Sequence, residues 1–323
     1  MTLLKPPEPL GADRFQAALT RRFLTPALAE LEATFLALRA KTDRVLEAQA
    51  AARRDKPYPY GYCLEITLDV FAGLRAWSEA ADSPGTRALK AFLKNGGEAR
   101  PVWGVLRGRY FQNAMRLGAL YVDVANDSVD PRKAKVEILP MEDSGLELVR
   151  DGAHFADIAE SYWGVRAYAN TALPSLAPLF PIILVDPEER VLLHSRASYM
   201  MRLFGSDGFR RSERWLGEGP PPPPHIVEKL RAACPEDIRA ANRAFGAAAA
   251  VDACRQLRAS GVRIDADWAE GMGALFDRVP SFRILQPQRP TQITPASNLS
   301  GAAIADMDRT NARPGAGIVR VAA

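Results

Sequence analysis

The sequence has little of several features that would assign a protein class at once. It holds three cysteines, at positions 63, 234 and 254, and therefore neither a disulfide framework nor a Cys-x-x-Cys pair. It holds three histidines, no two of which have the spacing of metal ligands. No glycine-rich phosphate loop joins a predicted strand to a helix. These absences exclude a disulfide-stabilised secreted domain, and we expect neither a cofactor nor a metal.

Charge of one sign and long apolar runs are scarce as well. Lys and Arg number 42 against 38 Asp and Glu, and a net charge of +4 over 323 residues is too weak to predict nucleic-acid binding. No apolar run reaches the length of a membrane span, and the first residues lack the apolar core of a signal peptide. With 47% hydrophobic and 25% charged residues, the composition is that of a folded chain. We expect a cytoplasmic protein with neither nucleic-acid nor membrane partners.

The first 56 residues have the pattern of helix. Thr25 and Pro26 are residue types that suit a helix N-cap and first turn. Apolar residues then recur at steps of three and four: Leu28, Leu31, Phe35, Leu38, Val45 and Leu46. Charged residues are expected on the opposite, solvent-facing side: Glu30, Glu32, Arg39, Lys41, Asp43 and Arg44. The stripe predicts a long amphipathic helix that packs along the body of the protein, although it can equally dock a partner.

The next hundred residues change from helical to strand-like patterns. The prolines of residues 57–62 interrupt the helix, and a second helix is predicted from Cys63 to Ala80. A third begins at Ser83-Pro84 and ends at Gly96-Gly97. Aromatic and β-branched stretches punctuated by Gly108 and Gly118 then predict an antiparallel meander. Its strands are expected at 102–106, 110–117, 120–125 and 135–139.

The C-terminal half contains shorter elements, a stiff spacer and an aperiodic end. Pro220 to Pro224 form a polyproline spacer, and a helical region is predicted over about 225–277. The predicted fold is α+β, with an N-terminal helical arm, helices packed on a small antiparallel sheet, a C-terminal helical region and an extended tail. The corresponding division is listed by range: a helical arm at 1–56, an α+β core at 57–219, a helical region at 220–285 and an extended or disordered tail at 286–323.

Cys63 stands at the start of the second predicted helix, directly after Tyr60-Gly61-Tyr62. Unpaired N–H groups and the helix dipole favour a thiolate there, which lowers the pKa of a thiol and raises its nucleophilicity. The competing interpretation is that Cys63 packs in the core, since free cysteine is among the most buried residue types. Cys234 and Cys254 are expected to pack in this way.

The block Gly61-Tyr62-Cys63-Leu64-Glu65 resembles the cysteine motif of the arylamine N-acetyltransferases, which runs Arg-Gly-Gly-Tyr-Cys-Phe-Glu. Those enzymes share the transglutaminase-like cysteine fold. Over about residues 58 to 126 the order of elements is similar too, with a cysteine helix, another helix, and strands that lead to Asp123. The resemblance implies that Cys63 is the nucleophile and Asp123 the orienting acid. No histidine lies between them, and the strand offers Gln112 or Asn113 instead.

A proton acceptor for Cys63 therefore has to come from elsewhere in the chain. Three histidines are available: His154, His194 and His225. We prefer His194 because it follows a predicted strand, where site residues are often placed. Gln112 or Asn113 would donate hydrogen bonds to an oxyanion. Tyr62 and Arg109 are the remaining expected substrate-binding residues, Arg109 as a ligand for a carboxylate or phosphate.

Three functions are compatible with these residues. The first is a cysteine-dependent acyl-transfer or amide-modifying enzyme of transglutaminase-like type, that is, a thiol-dependent transferase or hydrolase acting on a small molecule or peptide. The second is a catalytically silent binding or scaffold protein in a larger assembly, which contacts a protein partner through the N-terminal helix and the C-terminal tail. The third is an enzyme of unrelated chemistry that uses the histidines or the acids Asp123, Asp127 and Asp130.

Overall fold

The computed structural model describes residues 3–53, 57–80, 82–193 and 197–279. These form two compact units, one of residues 9–148 and one of residues 149–279 together with 3–8. The tail expected over 286–323 and the candidate base His194 lie outside the described residues. The four-part division by composition stays a prediction.

The first unit is α+β, as the sequence predicted, with helices followed by a sheet. Its α-helices are α1 (Arg14–Leu19), α2 (Leu28–Arg53), α3 (Cys63–Ala80) and α4 (Pro84–Lys94). Ser83 caps α4, since its hydroxyl accepts a hydrogen bond from the Thr86 N–H at 3.2 Å. Gly96, just past the end of α4, has a φ of 89°, which favours glycine. Both predicted ends of this helix are confirmed.

Thr25 is not an N-cap and the long helix does not begin at Pro26, contrary to the prediction. A π-helical turn, Thr20–Leu24, and a 3₁₀ turn, Thr25–Ala27, connect α1 to α2. Thr25 already has helical dihedrals, and its hydroxyl donates to the Thr20 carbonyl at 3.3 Å. Because proline has no N–H to donate, the widened turn ahead of Pro26 allows the chain to remain helical across it.

The predicted antiparallel meander is confirmed. The strands are β1 (Ala99–Leu106), β2 (Tyr110–Leu117), β3 (Leu120–Asp123), β4 (Glu137–Pro140) and β5 (Leu146–Glu147), in the order β4-β3-β2-β1-β5. The β1–β2 hairpin turns at Arg107 and Gly108, whose φ angles are 53° and 64°. This turn pairs Leu106 with Tyr110 and therefore places Trp103 opposite Asn113.

The two faces of this sheet bury different sets of side chains. Met115, Leu117 and Val122 point to the face covered by α2, α3 and α4, and belong to the larger core. Ala114 and Tyr121 point to the other face, where they pack with Met141 and Leu146. Side chains alternate along a strand, so every residue of β2 and β3 can be assigned to one face or the other.

The apolar stripe of α2 packs inside the first unit. Leu31, Phe35, Leu38 and Leu46 are buried, whereas Leu28 and Val45, expected on the same stripe, are exposed. The prediction for the opposite face is wrong at two positions, because Arg39 is 0% exposed and Asp43 is 8% exposed. These two side chains lie one turn apart and form an ion pair at 2.5 Å, and pairing compensates for the loss of water.

The second unit contains an antiparallel three-stranded sheet and seven α-helices within its described residues. The strands β6 (Arg166–Ala169), β7 (Ile182–Val185) and β8 (Val191–Leu193) lie in that order. The helices are α5 (Gly152–Trp163), α6 (Ser198–Gly205), α7 (Arg210–Glu218), α8 (Pro224–Ala233), α9 (Glu236–Ala241), α10 (Ala247–Ala259) and α11 (Ala266–Asp277). None of the helices in the described ranges combines the length and the apolarity needed to cross a bilayer.

Candidate functional site around Cys63

Cys63 is the first residue of α3, at the position that the sequence predicted. The turn before it is fixed by backbone hydrogen bonds, from the Tyr62 N–H to the Pro59 carbonyl at 3.1 Å and from the Gly61 N–H to the Ser128 carbonyl at 3.0 Å. Gly61 has a φ of 70°, which few other residues adopt without strain. The Cys63 side chain is partly buried against the sheet.

Asn113 of β2 is the strand residue that meets Cys63. Its Nδ2 donates a hydrogen bond to Sγ of Cys63 across 3.4 Å. One turn further along α3, the Thr67 hydroxyl donates to the backbone carbonyl of the same Asn113 at 3.0 Å. These two hydrogen bonds fix the start of α3 against β2 and place the Cys63 thiol beside the Asn113 amide.

The surroundings of Cys63 disfavour its thiolate. Burial is the largest effect and raises the pKa of the Cys63 thiol, because a charged sulfur loses its water. The Asn113 hydrogen bond opposes this rise, while the negative charges of Glu65 and Asp123 add to it. The expectation of a lowered pKa at the helix start is therefore not met, since burial and two nearby acids outweigh the donor.

Asp123 points to the opposite face of the sheet from Asn113. It is 0% exposed, and Oδ2 accepts hydrogen bonds from Gln112 Nε2 at 2.7 Å and from the Tyr121 hydroxyl at 2.9 Å. Oδ1 accepts from the Ala125 N–H at 2.8 Å. Burial raises its pKa to about 6, against the effect of these donors. The contacts of Asp123 thus serve the end of β3, and its role as orienting acid stays a prediction.

The other expected binding residues do not share one surface. Gln112 is fully buried beside Asp123, and its Oε1 accepts no hydrogen bond within the described chain. Tyr62 is buried in the helix-side core, with its ring 5.4 Å from that of Tyr58. Arg109 is exposed at the tip of the β1–β2 hairpin. Only Asn113 among the four lies against the cysteine.

No histidine belongs to the unit that contains Cys63, because residues 9–148 include none. In the second unit, His154 accepts a hydrogen bond at Nδ1 from the Arg150 N–H, 3.2 Å away. His225 Nε2 lies 3.3 Å from a Glu189 carboxylate oxygen. Both imidazoles therefore have local partners of a structural kind.

A charged cluster with a buried centre, which we call the Arg39 cluster, lies next to the turn before Cys63; Arg39, Asp43 and Asp127 are buried, whereas Lys135 is exposed. It comprises Arg39, Asp43, Tyr58, Asp127 and Lys135. Arg39 donates to both carboxylate oxygens of Asp127, at 2.7 and 3.1 Å. Hydrogen bonds from the cluster lower the pKa of Asp43, although burial alone would raise it. Because Asp127 is paired with Arg39 and Asp130 with Arg132, the acidic string has local partners.

Sequence reasoning missed Trp103 as a neighbour of the candidate site. It pairs with Asn113 across the β1–β2 hairpin and therefore shares the face that Cys63 approaches. Its ring stacks on Phe111 with centroids 5.1 Å apart. The Arg107-Gly108 turn was the signal that could have given this register. In the described ranges, no three acidic, cysteine or histidine side chains are arranged to hold a metal ion.

No family model, curated protein or solved structure matches this chain.

Proposed function

We propose that the chain is a catalytically silent binding or scaffold protein built on a transglutaminase-like pairing of a cysteine helix with a sheet. The observation that carries the proposal is the hydrogen bond from Asn113 Nδ2 to the Cys63 sulfur. A cysteine nucleophile needs a neighbour that takes up its proton and later returns it to the leaving group. A carboxamide has no nitrogen that titrates near neutral pH, so Asn113 can hold the thiol in place without activating it.

The electrostatics of the first unit supports the same proposal. The thiolate is the reactive form of cysteine, and both burial and the charges of Glu65 and Asp123 reduce its population at neutral pH. Asp123, the acid that the resemblance implies, accepts its hydrogen bonds from Gln112, Tyr121 and the Ala125 N–H. The parts that resemble a catalytic site therefore serve packing and support, which suits a binding role.

An acyl-trapping experiment tests the proposal directly. The folded protein is incubated with a thioester or an activated aryl ester, and Cys63 peptides are analysed by mass spectrometry. We expect no acyl adduct on Cys63 in the wild type. Rapid stoichiometric acylation of Cys63 that is lost in Cys63→Ser would overturn the proposal.

Asn113→His supplies a matched gain of function. The variant places an imidazole where the amide now meets the sulfur, and a neighbouring imidazolium lowers the pKa of a thiol. We expect alkylation of Cys63 at pH 7 to become about tenfold faster in Asn113→His. Asn113→Ala is the control, because it opens the same space without supplying a base. Equal alkylation rates in the two variants would contradict the claim that Cys63 is unreactive because its neighbour is an amide.

A cysteine-dependent acyl-transfer or amide-modifying enzyme is the second candidate. It is favoured by one observation, the position of Cys63 at the first residue of α3 with a side-chain donor 3.4 Å away, since such a donor can stabilise an oxyanion. In this case an undetermined base would complete the site. Loss of cellular function in a folded Cys63→Ser variant supports the enzyme, whereas loss of a co-purifying partner on deletion of residues 286–323 supports the scaffold.

A further inference from the structure

The Arg39 cluster has no part in the function proposed above, yet its contacts lead to the residues directly before Cys63. Arg39 is 0% exposed and makes hydrogen bonds with three different acceptors. The acceptors are Asp43 on its own helix, the Val124 carbonyl and the Asp127 carboxylate. A guanidinium suits this arrangement because it presents several N–H donors in a fixed planar geometry.

The first connection to Cys63 runs through side chains. Asp43 accepts a hydrogen bond from the Tyr58 hydroxyl at 2.5 Å as well as the one from Arg39. The Tyr58 ring packs edge-on against the Tyr62 ring, with centroids 5.4 Å apart. Tyr62 is the residue immediately before Cys63 and accepts the first backbone hydrogen bond of α3 from the Ile66 N–H. Arg39 and Asp43 thus fix the side from which the chain enters α3.

The second connection runs through backbone. Arg39 holds the segment after β3 at two points, the Val124 carbonyl at 2.6 Å and the Asp127 carboxylate at 2.7 Å. Ser128, the next residue, accepts a hydrogen bond at its carbonyl from the Gly61 N–H at 3.0 Å. Both connections therefore reach the turn that precedes the thiol, one at Gly61 and the other at Tyr62.

We propose that Arg39 is a positioning residue that sets the turn before Cys63 and so holds the sulfur against Asn113. The inference rests on the proposed function only in treating Cys63 and Asn113 as the site. A buried ion pair that only stabilised the fold would have no reason to contact this particular turn. The Arg39 ion pairs instead bind Tyr58, through Asp43, and the segment of residues 124–127, and both of these lead to that turn.

The test cuts each connection separately with small changes. Tyr58→Phe removes the hydroxyl from the first connection, and Asp127→Asn weakens the second while keeping its shape. Arg39→Lys keeps the charge and loses the bidentate geometry. Glu98→Gln is the matched control, because it removes the charge from the Glu98–Arg116 ion pair (2.6 Å) of the same unit, whose other hydrogen bonds run to Gly11 and Gln16 instead of to the turn. For every variant, the native-state alkylation rate of Cys63 and the free energy of unfolding are both measured.

We expect the Tyr58→Phe, Asp127→Asn double variant to alkylate Cys63 about tenfold faster than Glu98→Gln when compared at equal free energy of unfolding. Rates for all variants that follow one line against the free energy of unfolding would overturn the proposal, since stability alone would then explain them. If Arg39→Lys fails to fold, the Tyr58 and Asp127 variants still decide the question. Acylation of wild-type Cys63 would overturn the proposed function, but the comparison of alkylation rates among the variants would still test the role of Arg39.

Discussion

The first unit buries carboxylates on both faces of one sheet, and the two faces stabilise them with different kinds of partner. On the helix side, Arg39 forms ion pairs with Asp43 and Asp127. On the other side, Asp123 has three hydrogen-bond donors, all of them neutral: Gln112, Tyr121 and the Ala125 N–H. All three carboxylates accept hydrogen bonds, but only Asp43 and Asp127 also form ion pairs with a cation.

The difference appears in the pKa values of the acids. Burial opposes ionisation at both acids. Hydrogen bonds from Lys135, Tyr58 and Arg39, two of them cations, lower the pKa of Asp43 despite it, whereas burial raises the pKa of Asp123 to about 6 although three neutral donors oppose it. Hydrogen bonds alone therefore do not compensate for moving a full charge out of water here. Asp43 is therefore held in its charged form, whereas the surroundings of Asp123 favour the protonated form.

The largest effect should come from removing the shared cation. We expect Arg39→Met to lower the free energy of unfolding by about 3–5 kcal/mol, because Asp127 loses its cationic partner and Asp43 loses one of its two. Urea unfolding at pH 7 measures this loss, with Asp123→Asn as the comparison on the other face. A loss below about 1 kcal/mol, which is typical of exposed ion pairs, would contradict the importance of Arg39 for stability.

The second effect is a difference in pH dependence between the two sites. The folded-state pKa of Asp123, about 6, lies above its ordinary value of 3.8, so the folded chain binds more protons between these values. Its contribution to stability is present below about pH 4 and is lost as the pH rises through about 6. Relative to wild type, Asp123→Asn should therefore gain roughly 2 kcal/mol between pH 4 and pH 8.

Asp43→Asn is the matched control, and its slope has the opposite sign. The pKa of Asp43 is lowered, so its stabilising contribution is present above pH 3.8 and is lost as the pH falls through the folded value. Unfolding curves recorded from about pH 2 to pH 8 compare the two variants, because the slope from Asp43 lies below pH 3.8 and the slope from Asp123 lies above it. The same slope in both variants would abolish the distinction between the two faces.

The smallest effect concerns a single neutral donor. Tyr121→Phe removes the hydroxyl that lies 2.9 Å from Asp123. We expect a loss of about 1.5–3 kcal/mol at pH 8, where the carboxylate is charged, and a smaller loss at pH 4, where it is protonated. The free energy of unfolding at the two pH values is the measurement. A loss independent of pH would show that the hydroxyl serves packing alone.

Local signals predicted most of the first unit. Ser83 and Gly96 mark the ends of α4 because their chemistry acts within one turn. The Arg107-Gly108 turn fixes the β1–β2 register for the same reason. In contrast, β6 (residues 166–169) is half alanine and was missed, since its pairing with β7 supplies what its own residues lack.

The candidate site was predicted only in part, because faces and partners are set by tertiary packing. The position of Cys63 at a helix start follows from the residues before it. The burial of Arg39 depends on Asp127, which is 88 residues away in the chain, and periodicity alone assigns a charged residue to solvent. The side to which Asp123 points depends on the β2–β3 register, in which Met115 pairs with Val122.

The most direct test of the account is the alkylation rate of Cys63 in the folded wild-type protein from pH 5 to 9. Cys234 and Cys254 serve as internal controls; both are buried, and burial raises the pKa of Cys254 to about 12. We expect an apparent pKa for Cys63 above the value of about 8.5 for a free thiol, because burial raises it. Fast reaction of Cys63 alone near pH 6, with an apparent pKa well below about 8.5, would contradict the silent site and identify an activated nucleophile.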